Sequence, residues 1–340
     1  MFAILTVILV HATENLYIMD VAHLNSMSSY SKIFAILAFT IGRLGVPLFL
    51  FLTGYLFLQR KFDSQSIFKF WYQNWLRLLL TTEIWVILYD VFLRAFHFQH
   101  WSTKRLVYDM LFMDQVHMGH MWYMPMIIGL YICIPFAARA LKSVDLQIIK
   151  FPILILSLYA FGIPVLVAFN QAMFQENHIR LLLDLGFSGG VYGLYLVFGW
   201  CIRYGLFRAW NTVSVTICSL ICFGITVGIQ LFSYSRGVTY NVWYNYGFLM
   251  LCALFLFEGF SRLPLKKEYK TILWLSRNSF GIYLIHYPIL LLLKNIILQM
   301  SCMMPVKVIF LWIIVLGVSC CFCYVINISP KLSRLLLYNR

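Results

Sequence analysis

Long apolar runs, interrupted by short basic, polar or glycine-containing stretches, set the pattern of this chain. The apolar stretches do not alternate with a period of two, so they do not read as strands. Many approach the roughly 20 residues that a membrane-crossing helix needs. They predict ten helical spans: Met1 to about Met19, then about Ile33–Leu58, Leu78–Phe96, Met121–Leu141, Phe151–Phe169, Ser188–Gly205, Asn211–Phe232, Tyr246–Phe260, Ser279–Leu298 and Val308–Ile328. The eighth is the shortest. No low-complexity linker, internal repeat or soluble domain interrupts the series. The pattern therefore predicts an all-α, polytopic integral membrane protein. It has one transmembrane domain over residues 1–328 and a short basic tail over 329–340.

Composition agrees. Hydrophobic residues make up 62% of the chain and charged residues 11%, far from the globular average. The net charge of +14 would suit a nucleic-acid partner, but its placement argues against one. Seventeen of the 26 Lys and Arg residues fall in alternate loops and the tail. These are Arg60, Lys61, Lys69 and Arg77; Arg139, Lys142 and Lys150; Arg203 and Arg208; Arg262, Lys266, Lys267, Lys270 and Arg277; and Lys331, Arg334 and Arg340. The opposite loops and helix ends hold only Lys32, Arg94, Lys104, Arg105, Arg180, Arg236, Lys294 and Lys307. This bias puts both termini in the cytoplasm and turns the basic loops towards anionic lipid and cytosolic anions. The nine cysteines lie mostly within apolar runs and show neither metal-ligand spacing nor a disulfide framework. They read as small apolar fillers.

The beginning of the chain is unusual. Met1–Val10 is uncharged and makes only half a span, and no basic segment marks it as a signal peptide. A helix continued through His11, Glu14 and Asn15 to Met19 reaches spanning length with a polar second half. The simplest reading is that Met1 lies within a helix whose start is missing; a short first helix is the alternative.

His11 stands about 15 Å along that helix at 1.5 Å per residue, close to mid-membrane. An ionisable side chain there is a functional candidate by default, or else a packing residue satisfied by a neighbouring helix. Glu14 follows at i+3 on the same face. It either orients the imidazole as a general base's partner would, or reaches the outer headgroups. His286 in SFGIYLIHYPIL lies about 10 Å into the ninth span, a similar depth, so the two histidines suggest one polar cavity. In GVPLFLFLTGYLFL, the glycines permit close helix approach; Thr53 and Tyr55 add hydroxyls near the cytoplasmic end. The following RKFDSQSIFKFWYQNWLRLLL mixes Arg60, Lys61, Lys69 and Arg77 with aromatic rings. This is an interfacial anchor or a site for the phosphates and base of a nucleotide-linked donor. Glu83, inside the third span, needs a partner. His120, Trp122 and Tyr123 in GHMWYMPMIIGLYICIP fall at the outer face, as an aromatic belt or an acceptor site. No His, Asp or Glu cluster has metal-ligand spacing.

Together these segments resemble the acyltransferase family 3 of integral membrane acyltransferases. Within it, the likeness is nearest to the surface-polysaccharide O-acetyltransferases, such as that acting on enterobacterial common antigen. FAILTVILVHA is similar to the family's opening, an arginine followed by ten apolar residues and a histidine, and places His11 on that histidine. The arginine would fall just before Met1. GVPLFLFLTGYLF resembles its second helix, with Thr53 for the usual Ser. RLLLTTEIWVILY, HMWYMPMIIGLYICIP and SFGIYLIHYPIL resemble three later motifs. The family's i, i+3 arginine pair before the third helix appears here as Asn74 and Arg77, so one of the two is lost.

The resemblance implies a ten-helix enzyme of the bacterial cytoplasmic membrane. It would take acetyl or another acyl group from cytosolic acetyl-CoA, a co-substrate and not a bound cofactor, and deliver it to a hydroxyl of a cell-surface glycan or lipid-linked saccharide. It implies His11, Glu14 and His286 as the catalytic group. Arg60, Lys61, Lys69, Arg77, Thr53 and Tyr55 would bind the donor, and His120, Trp122 and Tyr123 the acceptor. The residues alone also allow a proton-coupled transporter or glycan exporter using the same histidines as a relay. Such proteins often show broken helices in matching repeats, and none is visible here.

Overall fold

The computed structural model describes residues 1–98, 102–114, 118–174, 190–240, 242–264 and 269–339. Arg180, Lys266, Lys267, Arg340 and the first residues of the sixth predicted span lie outside them. Within the described residues the chain forms α1 (Phe2–Leu16), α2 (Val21–Ser26), α3 (Ser29–Arg43), α4 (Gly45–Phe57), α5 (Ser64–Phe70) and α6 (Leu76–Ala95). Next come α7 (Thr103–Met110), α8 (Tyr123–Lys142), α9 (Leu146–Ser157), α10 (Ile163–Phe174), α11 (Gly190–Arg203) and α12 (Thr212–Ser235). The series ends with α13 (Gly247–Ser261), α14 (Lys270–Arg277), α15 (Ser279–Leu298), α16 (Met304–Asn327) and α17 (Pro330–Leu336). Five-residue π-helical segments, Trp71–Trp75 and Leu158–Gly162, join α5 to α6 and α9 to α10. Every regular element among the described residues is helical, and the protein is an all-α polytopic membrane protein.

Among the described residues, six helices are long and apolar enough to cross a membrane: Ser29–Phe57, Tyr123–Lys142, Leu146–Phe174, Thr212–Ser235, Ser279–Leu298 and Met304–Asn327. Phe2–Leu16 and Gly247–Ser261 are shorter apolar helices. The other two spans expected from the sequence correspond to α6 and α11. The first carries Arg77, Glu83, Asp90 and Arg94, which lower its apolarity. The N-terminal side of the second falls outside the described residues.

The bundle is built round α1, which packs on α3, α4, α15 and α16. One face of this 15-residue helix is fully covered, with Ile4, Ile8 and Ala12 at 0% exposure. Two devices hold it there. The Trp312 indole N–H of α16 donates to the Leu5 carbonyl at 2.9 Å, so a helix–helix contact in the apolar layer carries its own polar anchor. Gly42 of α3 faces Val10, where any Cβ would collide with the valine backbone. Small residues allow this approach where lipid leaves packing, and not water exclusion, to hold helices together.

The same logic, doubled, joins α4 to α11. A Cβ at Gly54 would strike the Leu196 carbonyl, and one at Gly199 the Phe51 carbonyl. Gly224, by contrast, has open space around it. Gly54→Ala is therefore expected to destabilise the bundle by about 1–3 kcal/mol through overpacking. Gly224→Ala should be neutral or stabilise by up to ~1 kcal/mol through helix propensity. Thermal unfolding in detergent compares them; equal melting temperatures would refute the close-packed seam.

Candidate active site

Two parallel helices set the level of the site. The Met1 nitrogen lies 3.1 Å from Ser276 Oγ, which places this level of α1 beside the segment leading into α15. Ten residues further along each path lie His11 and His286, whose ring centroids are 5.4 Å apart. Their side-by-side placement thus follows from helical rise and this shared starting level.

His11 is 7% exposed, and its Nδ1 lies 2.5 Å from Glu14 Oε1, one turn on. The other carboxylate oxygen faces Arg43 Nη2 at 3.5 Å. Arg43 sits at the end of α3, itself 7% exposed. It donates from Nη1 to the Tyr244 hydroxyl at 3.2 Å and lies 4.6 Å from the ring centroids of both Phe39 and Trp243. The result is a line of partners from arginine to carboxylate to imidazole. A carboxylate on Nδ1 leaves Nε2 as the nitrogen available for exchange with a substrate.

His286 is fully buried. Its Nδ1 lies 2.6 Å from the Tyr283 carbonyl oxygen. A carbonyl can only accept, so Nδ1 carries the proton and Nε2 presents a lone pair. That Nε2 is buried with no hydrogen-bond partner among the described residues.

His120 changes position relative to the expectation. It was expected at the outer face, yet it is 1% exposed and joins the other two histidines. Its ring centroid is 5.0 Å from that of His286 and 6.2 Å from that of His11, and it stacks on Tyr287 at 4.8 Å. The Tyr283 hydroxyl donates to the His120 carbonyl at 2.7 Å. Tyr89 places its hydroxyl 3.4 Å from His120 Nε2 while donating to the Leu284 carbonyl at 2.6 Å. The turn that precedes α8 is pulled inward by its own apolar residues, since Met118 and Met121 are 0% exposed. Burying them carries the histidine between them into the bundle.

Trp122 and Tyr123, neighbours in sequence, serve different sides. Trp122 stacks on Tyr244 at 5.4 Å and lies near Trp243 and Tyr192, forming an aromatic group next to Arg43. Tyr123 instead lines a cavity of about 240 Å³ whose wall also includes Val7, Thr53, Phe57, Tyr283 and Tyr338. Tyr283 belongs to both the cavity wall and the surroundings of His120, its ring centroid 5.0 Å from that histidine. The cavity thus extends from Tyr283, whose ring separates it from His120, to Tyr338 in the segment after α17.

The residues expected to bind a donor are only partly gathered there. Thr53 lines the cavity, although its hydroxyl donates to the Phe49 carbonyl. Tyr55 instead accepts a hydrogen bond from Arg203 on α11. Lys61 and Lys69 are exposed, and Arg60 lies over the Phe57 ring at 4.4 Å; none of the three lines the cavity. Arg77 stands nearer, over the Tyr338 ring at 5.3 Å and donating to the Asn339 carbonyl. Asn74 is 5% exposed within the π segment and donates to the Phe70 carbonyl. Glu83 has both its carboxyl oxygens buried without a hydrogen-bond partner among the described residues.

Arg43, Tyr244, Trp243, Tyr287 and Tyr89 were not anticipated as part of this centre. Arg43 had a readable signal: a guanidinium inside an apolar span is a functional candidate by default. Trp243, Tyr244 and Tyr89 had none, because only tertiary packing brings their helices and loops to α1. Among the described residues no group of three His, Cys, Asp or Glu side chains is placed to hold a metal ion.

Residues 1–328 match a family model described as an acyltransferase domain. No curated protein and no solved structure gave a significant match. The matched stretch runs from α1 through α16, and so takes in all three histidines, Glu14, Arg43 and the cavity wall up to α16. The chain belongs to the acyltransferase family 3 of integral membrane acyltransferases.

Proposed function

We propose that this membrane acyltransferase moves an acetyl group from cytosolic acetyl-CoA to a hydroxyl of a saccharide on the opposite side of the membrane, a cell-surface or lipid-linked glycan. The observation that carries the proposal is the meeting of His11, His120 and His286 between two unlike surroundings. On one side lies the cavity ending at Tyr338; on the other, the aromatic group of Trp122, Tyr192, Trp243 and Tyr244. A narrow apolar cavity suits an acyl thioester arm, and aromatic rings suit the apolar faces of sugars. Family membership favours this chemistry over the transporter that the residues alone left open.

In the proposed step His11 Nε2 takes the proton of the acceptor hydroxyl as its oxygen attacks the thioester carbonyl carbon. The tetrahedral intermediate collapses, the carbon–sulfur bond breaks, and the imidazolium returns the proton to the departing thiolate. Glu14 holds the ring through Nδ1 and stabilises its cationic form, as carboxylates do for other histidine bases. Arg43 holds the second carboxylate oxygen in place. The His286 lone pair offers a second acceptor for the hydroxyl proton, oriented by the Tyr283 carbonyl.

His11→Ala is expected to lower turnover by about 10²–10⁴-fold, the usual contribution of a general base, with folded protein in detergent retained. Near-normal acetyl transfer by the purified variant would refute the assignment. Glu14→Gln keeps an acceptor for Nδ1 but removes the charge; turnover should fall by about 10²-fold with little change in donor KM. A rise in donor KM alone would place Glu14 in donor binding instead.

The two sides should also separate. Trp122→Ala is expected to raise the acceptor KM by about tenfold, while slow acetyl-CoA hydrolysis by water continues. Tyr123→Ala should impair both activities because that ring lines the donor cavity. Equal losses in the two variants, following a loss of folded protein, would return Trp122 to the interfacial belt.

A further inference from the structure

Beyond the cavity, on the side expected to face the cytosol, a second and polar pocket of about 690 Å³ opens between the end of α14, the end of α16 and the C-terminal segment. Tyr338 lines both spaces. The wall of the pocket is built from a polar knot. Asn278 Oδ1 accepts from Asn327 Nδ2 at 2.7 Å and from Asn339 Nδ2 at 3.1 Å, while Asn339 Nδ2 also lies 2.9 Å from Asn327 Oδ1. Ser333 donates to Asn327 Oδ1. Asn278 and Ser333 are 4% and 6% exposed.

The segment that closes the pocket is anchored to α6. The Leu335 carbonyl accepts from Thr81 Oγ1 at 3.1 Å, the Leu336 carbonyl from Trp85 Nε1 at 2.8 Å, and the Tyr338 hydroxyl donates to the Asn74 carbonyl at 2.9 Å. This tail is therefore a fixed wall of the bundle. Its residues lie beyond the stretch matched by the family model, which ends at 328.

Two cations face this pocket, Arg277 and Arg334. Both are exposed, and neither makes a hydrogen bond or ion pair with any described residue. Elsewhere on the same side, Arg203 is held by Gln59 and Tyr55, and Arg262 by Glu258 and two carbonyls. Arg77 approaches from α6 through the Asn339 carbonyl. Guanidinium forks match phosphate oxygens with paired donors.

We propose that this pocket binds the phosphate-bearing head of the acyl donor, with Arg277 and Arg334 as its phosphate ligands and the C-terminal segment as its wall. The assignment rests on the acetyl-CoA reading above and replaces the sequence expectation that Arg60, Lys61 and Lys69 fill this role. The order of surroundings explains the choice: a polar, cationic vestibule, then Tyr338, which lines both spaces, then an apolar slot whose wall includes Tyr283, the ring beside His120. A molecule with a polyanionic head and a slender thioester arm meets each in turn. The shared chemistry is phosphate recognition, and an anionic lipid headgroup would supply it too.

The experiment compares donors with and without phosphate. The Arg277→Gln/Arg334→Gln double variant of the full chain is assayed with acetyl-CoA and with the acetyl thioester of N-acetylcysteamine, in vesicles of phosphatidylcholine with and without phosphatidylglycerol. The acetyl-CoA KM is expected to rise by at least about tenfold, as loss of charge-assisted hydrogen bonds requires, with kcat within about twofold. The phosphate-free thioester should be used equally well by both proteins, and the acetyl-CoA effect should persist in neutral vesicles. Lys331→Gln, which removes a charge from the same helix outside the pocket, should leave the acetyl-CoA KM unchanged. An unchanged KM in the double variant, an equal loss with both donors, or an effect confined to vesicles with phosphatidylglycerol would each overturn the proposal. Wild-type protein that turns over neither thioester would overturn the acetyl-CoA reading as well.

Discussion

Ionisable groups placed among apolar helices must be matched to one another, and the line from Arg43 through Glu14 to His11 is where this chain meets that requirement. An isolated charge in hydrocarbon surroundings costs several kcal/mol, and removing one member of a buried pair typically costs 3–5 kcal/mol because the other is stranded. Glu14 therefore cannot be exchanged without consequence for both neighbours. Its two oxygens divide between an imidazole on its own helix and a guanidinium on α3. The position of α3 relative to α1 then matters to within a fraction of an ångström. That is why the glycine at 42, which lets Val10 approach the backbone, belongs to the same account as the histidine. Packing sets the distance, and the distance sets the ion pair.

The remaining architecture arranges access to this line. His286 and His120 come from helices and turns that do not touch in sequence, yet their rings converge within 5.0 Å of each other. Each is oriented by backbone and hydroxyl groups: the Tyr283 carbonyl for one, the Tyr89 hydroxyl for the other. Tyr283 acts twice, holding the His120 carbonyl with its hydroxyl and forming the cavity wall with its ring. Two opposed approaches to one centre are what a transfer between separate compartments requires. In the proposed function, the apolar cavity serves the donor and the stacked aromatic rings beside Arg43 serve the acceptor.

Much of this was legible in the sequence, and for identifiable reasons. The helical class follows from uninterrupted apolar runs, which leave no other way to satisfy the backbone in a membrane. The proximity of His11 and His286 follows from counting residues in two parallel helices. The sequence marks His120 as a site candidate but not its burial, because depth arguments apply to helices and this residue sits in a turn whose neighbouring methionines draw it inward. Which cations stand near the cavity was not legible for a different reason. The basic run from Arg60 to Arg77 shows which residue types occur but not which face the cavity, and the return of the C-terminal segment onto α6 leaves no local trace. Arg43 was visible as an intramembrane charge; its partner on α1 became apparent only in three dimensions.

The central claim is that one buried histidine centre links a donor on one side of the membrane to an acceptor on the other. Sidedness in sealed vesicles tests it most directly. Purified protein is reconstituted, and molecules with their basic loops outward are supplied externally with acetyl-CoA carrying a labelled acetyl group, with glycan acceptor enclosed in the lumen. The account predicts labelled acetyl on the enclosed glycan, CoA retained outside, and loss of the signal in the His11→Ala protein. Labelling that requires donor and acceptor on the same side, or that persists without His11, would contradict it.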